Sequence, residues 1–176
     1  MTQTTLEPCP DCHALLPPSG GAGHRYIGAS PACWDIFAAL ANAGEPPLAP
    51  HPWNGLLLDA YTTQHPGVPS PQAIQSVAVH LLALHGVLAR GAAPNHALQI
   101  RLQAVSERHG PKHGRFTWLT PPSFVGSITV ADIAQQPTPA ARTALLQQYI
   151  HDVWARWTAV YADTINAWYD QFITEG

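Results

Sequence analysis

Charge is scarce in this chain. Asp, Glu, Lys and Arg make up 11% of its 176 residues, against the quarter usual for a soluble domain. The net charge is −3 with His neutral, and the eight Lys and Arg are scattered, which excludes a basic face for nucleic acid. Cysteine is limited to three. An odd, small number excludes a disulfide scaffold and points to a cytoplasmic protein with reduced or metal-bound thiols. Strand-like alternation of any length is missing, and so are internal repeats. Ser19-Gly-Gly-Ala-Gly lacks the preceding strand and the Lys-Ser/Thr of a phosphate loop. No charged-then-apolar leader opens the chain, and no segment reads as a membrane span.

What is abundant is histidine, at ten, and proline, at eighteen. Proline punctuates a series of helical patterns. The most informative stretch runs from Asp59 to Gly91. Ser70-Pro71 is a helix start, with Ser as N-cap acceptor and Pro at the first helical position, and Gly91 marks the end as a C′ residue. No Asp, Glu, Lys or Arg occurs from Gln72 to Ala89. Ile74, Val77, Ala78, Leu81, Leu84 and Leu88 form one apolar stripe, and Ala73, Ser76, His80, Ala83 and Val87 a second. A helix apolar on most sides is buried. Gln75, Ser76, His80 and His85 argue against a lipid-facing span.

Ser30-Pro31 repeats the start signal for a three-turn helix ending near Gly44, with Trp34, Phe37 and Leu40 on one face and Cys33 in its first turn. Leu56 to Leu58 begin a short buried helix running into Tyr61. Pro94-Asn95 starts a helix through about Arg108, with Leu98, Ile100, Leu102 and Val105 apolar. Thr129-Val-Ala-Asp132 is a capping box. Thr138-Pro139 starts the longest helix, to about Ile173, with Leu146, Ile150, Val153, Trp157, Val160, Thr164, Trp168 and Phe172 at steps of three and four and one slip. Residues 1–8 are expected to fray. Residues 9–29 cannot build a core and need a tie such as a metal to stay ordered. The expected architecture is all-α: a single domain over 1–176, with a CxxC knuckle or loop at 9–30 and a small helical bundle with a long C-terminal helix at 31–176.

Two constellations can carry chemistry. The first is Cys9-x2-Cys12 with Cys33. A CxxC turn lets two thiolates reach one tetrahedral ion, and a helix N-terminus favours the thiolate of Cys33. A fourth ligand is needed; His80 is the first choice and His65 the replacement, with His13 and His24 as further candidates. A redox dithiol is a minor alternative, since no βαβ context surrounds the CxxC. The second constellation is Asp59, Tyr61, Gln64 and His65, joined to Ser76 and His80, which lie four apart on one helix face. These are the candidate catalytic residues. Asp59, His65 and His80 could form a two-His-one-carboxylate metal set. Equally, Asp59 could be the acceptor of a buried His80, and His65 a turn cap. His85, about 140° around the helix from His80, is read as structural, and His96, His109, His113 and His151 as surface or cap residues.

The blocks CPDC, SPACW, DAYTTQHPG, SVAVHLLAL and VWARW together resemble a family of bacterial proteins of unknown function, over nearly the whole chain. The resemblance implies Cys9, Cys12, Cys33, Asp59, Tyr61, Gln64, His65 and His80 as motif positions. The family often has Gly after the second motif Cys, where this chain has His13, and a His shortly before the DAY block, where the nearest, His51, is out of register.

The leading expectation is a zinc-binding helical protein, with Cys9, Cys12, Cys33 and His80 or His65 as ligands and a protein partner or small molecule as its target. The rival expectation is a metal-dependent hydrolase or transferase at Asp59, His65 and His80.

Overall fold

The computed structural model describes residues 5–42, 47–111 and 114–174. The expected helix stop near Gly44 and the surface assignment of His113 lie outside these residues. The described residues are all-α apart from one minimal hairpin. The element order is β1 (Glu7–Pro8), β2 (Leu15–Leu16), α1 (Pro31–Ala41), α2 (Leu57–Gln64), α3 (Pro71–Leu88), α4 (Ala97–Ala104), α5 (Val130–Ala134) and α6 (Pro139–Phe172), with 3-10 turns at Pro52–Leu56, Pro94–His96 and Glu107–His109. β1 and β2 pair antiparallel, Glu7 with Leu16 and Pro8 with Leu15. This corrects the expectation that residues up to 8 fray: Glu7 and Pro8 clamp the base of the CPDC turn. Two residues per strand are too few to leave an alternation pattern.

Helix starts follow local chemistry. The side chains of Ser30, Ser70 and Thr138 each accept from the backbone N–H three residues on, and each is followed by Pro. Thr129 and Asp132 form the capping box on α5. α3 is the central helix, packed against α2, α4 and α6. It ends at C-cap Ala89, with Gly91 two residues further on at φ +72°. Gly91 therefore stands one position beyond the expected C′ site. None of the described helices is long and apolar enough to cross a membrane.

Three expectations fail by tertiary context. α4 stops at Ala104 rather than Arg108, and Ser106 caps a separate turn. On α4 only Ile100 of the expected apolar set is buried below a tenth; Leu98 and Leu102 are more than half exposed. On α6, Val160 is 64% exposed. The helix is non-helical at Tyr161 (φ −123°, ψ 18°), and this kink takes up the slip in the repeat. Beyond it the buried positions are Ile165, Tyr169 and Phe172, a new register that keeps a 34-residue helix against a curved core.

Candidate metal centre

α2 is the element on which the centre is built. From Asp59 to Gln64 every residue is buried, and so is His65, its C-cap. Most of its polar side chains are held by specific partners, the Thr62 hydroxyl being the buried exception. Thr63 Oγ1 donates to the Asp59 carbonyl (2.8 Å), and Trp157 Nε1 donates to the Thr63 carbonyl (3.0 Å). Gln64 Nε2 donates to the Ile128 carbonyl (2.8 Å), and Tyr149 hydroxyl donates to Gln64 Oε1 (3.0 Å). Gln64, a candidate catalytic residue, thus has both ends of its amide engaged, tying α2 to α6 and to the loop before α5.

The chain then leaves α2 through His65-Pro66-Gly67. Gly67 stands at φ +69°, and a Cβ there would meet the Tyr26 carbonyl at 2.7 Å. Its N–H donates to Asp11 Oδ2 (2.8 Å), while Gly28 N–H donates to the His65 carbonyl (3.1 Å). A Cβ on Gly28 would sit 1.9 Å from Asp11 Oδ2. The knuckle and the turn after α2 are therefore interlocked at two glycines. His13 has φ +60°, a region costly for most L-residues.

These elements bring Cys9, Cys12, Cys33 and His65 together. One ligand atom from each lies within 4.8 Å of all the others, and the residues are 0, 3, 0 and 0% exposed. Among the described residues this is the group of His, Cys, Asp and Glu donors that could hold a metal ion. Cys12 Sγ is 3.9 Å from Cys33 Sγ, and Cys33 Sγ is 3.5 Å from His65 Nε2. A tetrahedral ion with bonds of about 2.3 Å to sulfur and about 2.0 Å to nitrogen has edges of roughly 3.8 and 3.5 Å, so the spacing fits. All three cysteines are free thiols.

The surroundings orient the donors. His65 Nδ1 donates to the Tyr61 carbonyl at 2.8 Å. In the neutral ring that leaves a bare lone pair on Nε2, facing Cys33, as ligating histidines need. Ser30 N–H donates to Cys9 Sγ (3.4 Å), and Tyr61 hydroxyl donates to Cys33 Sγ (3.6 Å). Phe37 stacks on the Tyr61 ring with centroids 4.1 Å apart. The electrostatics are those of a shared charge. Hydrogen bonds from Cys12 and then Cys33 hold the Cys9 thiol far below its ordinary range. Hydrogen bonds with Cys12 and then Cys9, followed by burial, push Cys33 far above it. Burial pulls His65 down, but hydrogen bonds to Cys12 and Cys9 outweigh it and raise it to about 9. Burial first, and then the Cys33 charge, raise Tyr61 far above the ordinary phenol, so it stays a donor.

His80 is not in this group. Its Nδ1 lies 2.7 Å from Asp59 Oδ1, and Arg101 Nη1 donates to both Asp59 oxygens at 2.8 and 2.7 Å. Of the two sequence-based choices for a fourth donor, the structure brings His65 to the thiols and leaves His80 with a carboxylate. Asp59, His65 and His80 do not converge as one donor set either. Asp59 and His65 are six residues apart, about 120° around α2, so one faces α4 and the other the knuckle. Sequence reasoning missed Arg101. Its only signal was that a buried Asp59 needs a countercharge in a chain with few cations. Asp11, between the CPDC thiols, was also missed as the knuckle's hydrogen-bond anchor; burial raises its carboxyl while the Gly67 N–H opposes the rise.

Comparison with curated proteins and with solved structures finds no match to this chain. A family model, that of a family of unknown function (DUF5946), matches residues 7–158, a span that includes the hairpin, all four clustered donors and the Asp59–His80–Arg101 group, and the chain belongs to that family.

Proposed function

We propose that this protein is a zinc protein whose Cys9, Cys12, Cys33 and His65 form a closed structural centre that pins the N-terminal knuckle to the helical core. The observation that carries this reading is the convergence of three thiols and an oriented imidazole, each at most 3% exposed. Three sulfurs and one nitrogen select zinc over harder ions. Four protein donors leave no position for a water, which is the pattern of a structural rather than a catalytic zinc. The metal is the tie that residues 9–29 require, since the knuckle's own buried apolar side chains, Leu16 and Ile27, are few. A reducing, cytoplasmic setting suits three unpaired thiols.

The reading as a metal-dependent hydrolase or transferase at Asp59 draws less support, because Arg101 and His80 already occupy that carboxylate. The test is direct. Purified, untagged protein is expected to carry about one zinc per chain, and a strong chelator is expected to lower the melting temperature and open residues 9–30 to protease. Metal analysis finding none, with all three thiols freely titratable, refutes the proposal.

A further inference from the structure

A second cluster lies apart from the thiols. α3, the end of α4 and the knuckle's Tyr26 border an open cleft of about 330 Å³, at the small end of the roughly 300–1,000 Å³ range of ligand pockets. Its polar lining is Tyr26, Gln72, Gln75, Ser76 and His80, with Val79 as an apolar floor. Gln75 and Ser76 are neighbours on α3, with Gln72 one turn before them and His80 one turn after Ser76. The side chains of Gln72, Gln75 and Ser76 make no hydrogen bond to any described residue, in contrast to the fully engaged Gln64. The larger cleft of about 450 Å³ beside Arg90 differs in this respect: Arg90 is already bonded to Asn166 and Asp170, and Gln103 to Thr174.

His80 gives the smaller cleft its direction. The carboxylate of Asp59 can only accept, so His80 Nδ1 donates to it, and in the neutral ring Nε2 is left as a bare acceptor. Its side chain is 14% exposed, while Asp59 behind it is 0% exposed. Asp59 is in turn held by both contacts from Arg101. The imidazole is therefore rigidly aimed by a buried ion pair whose charge is internally balanced. Among the described residues no Asp, Glu, Lys or Arg lines the cleft, so it offers a charged ligand no countercharge. Two primary amides, each both donor and acceptor, a hydroxyl, an imidazole acceptor and a tyrosine ring match instead a neutral molecule with neighbouring hydroxyl groups. We infer that this cleft is a binding site for a small neutral polyhydroxylated ligand of the sugar or nucleoside class, with His80 Nε2 accepting from a ligand hydroxyl and the α3 amides bridging adjacent hydroxyls.

The experiment is saturation-transfer NMR on the full chain with D-glucose, D-galactose, D-ribose and adenosine, and with acetate as the charged control. Transfer is expected to at least one of the four neutral probes and not to acetate. His80→Ala also removes a hydrogen bond from Asp59, so the deciding variants are Gln75→Ala and Ser76→Ala, which leave that contact intact. Each is expected to bind the responding probe roughly 2- to 10-fold more weakly, the worth of one neutral hydrogen bond, with an unchanged circular dichroism spectrum. No transfer to any neutral probe, binding of acetate in their place, or undiminished affinity in both variants overturns the proposal.

Discussion

The two histidines that the sequence ranked first and second for the fourth donor, His80 and His65, are expected to respond differently to substitution. His65→Ala removes a donor facing Cys33 Sγ at 3.5 Å. His80→Ala removes only a hydrogen bond to Asp59. The magnitude of the second change follows from the partners. Asp59 is fully buried, but Arg101 still donates to both its oxygens, so the carboxylate is not orphaned. The cost is that of one hydrogen bond to a charged group, about 1.5–3 kcal/mol, below the 3–5 kcal/mol of breaking a buried pair outright. For a chain of this length that is a fall in melting temperature of about 3–12 °C, with zinc still at about one per chain. His65→Ala is expected to lose zinc, and its melting temperature should no longer respond to chelator. Metal content by elemental analysis and melting curves with and without chelator read both effects. A His80→Ala protein that loses its zinc while His65→Ala keeps it refutes the placement of the donors.

Arg101→Met strands the Asp59 carboxylate with His80 alone and is expected to cost about 3–5 kcal/mol in urea unfolding; the double variant with Asp59→Asn should be less damaging than the two single costs added. The acid limb of stability should depend on His85. Burial first and the Arg90 charge second lower its folded pKa, against a weaker opposing effect of Asp170, and its Nε2 accepts from Arg90 Nε at 3.2 Å. The unfolded state then binds more protons below about pH 6.5, so stability rises with pH through that window and is lost as pH falls. The difference between wild type and His85→Gln, both zinc-loaded, should shrink between pH 7 and 5; a constant difference counts against the assignment.

Local chemistry determined much of this molecule. Ser30-Pro31, Ser70-Pro71, Thr138-Pro139 and the Thr129–Asp132 box each act within three residues, so the helix starts were legible without tertiary information. The CxxC turn is equally local, and the uncharged run from Gln72 to Ala89 marked α3 as central because a helix apolar on most sides has nowhere to lie but inside. The choice between His65 and His80 was tertiary. Nothing in the local sequence separates them, and only the folding of the knuckle onto the Gly67 turn, together with the Tyr61 carbonyl beneath His65 Nδ1, aims one of them at the thiols. Arg101 reaches Asp59 across 42 residues, a separation that leaves no periodic trace. The exposure of Leu98 and Leu102, and the kink at Tyr161 that re-registers α6, likewise depend on which faces the neighbouring helices cover. Sequence fixes what a residue offers to its own turn of chain; which distant group answers it is decided only when the helices pack.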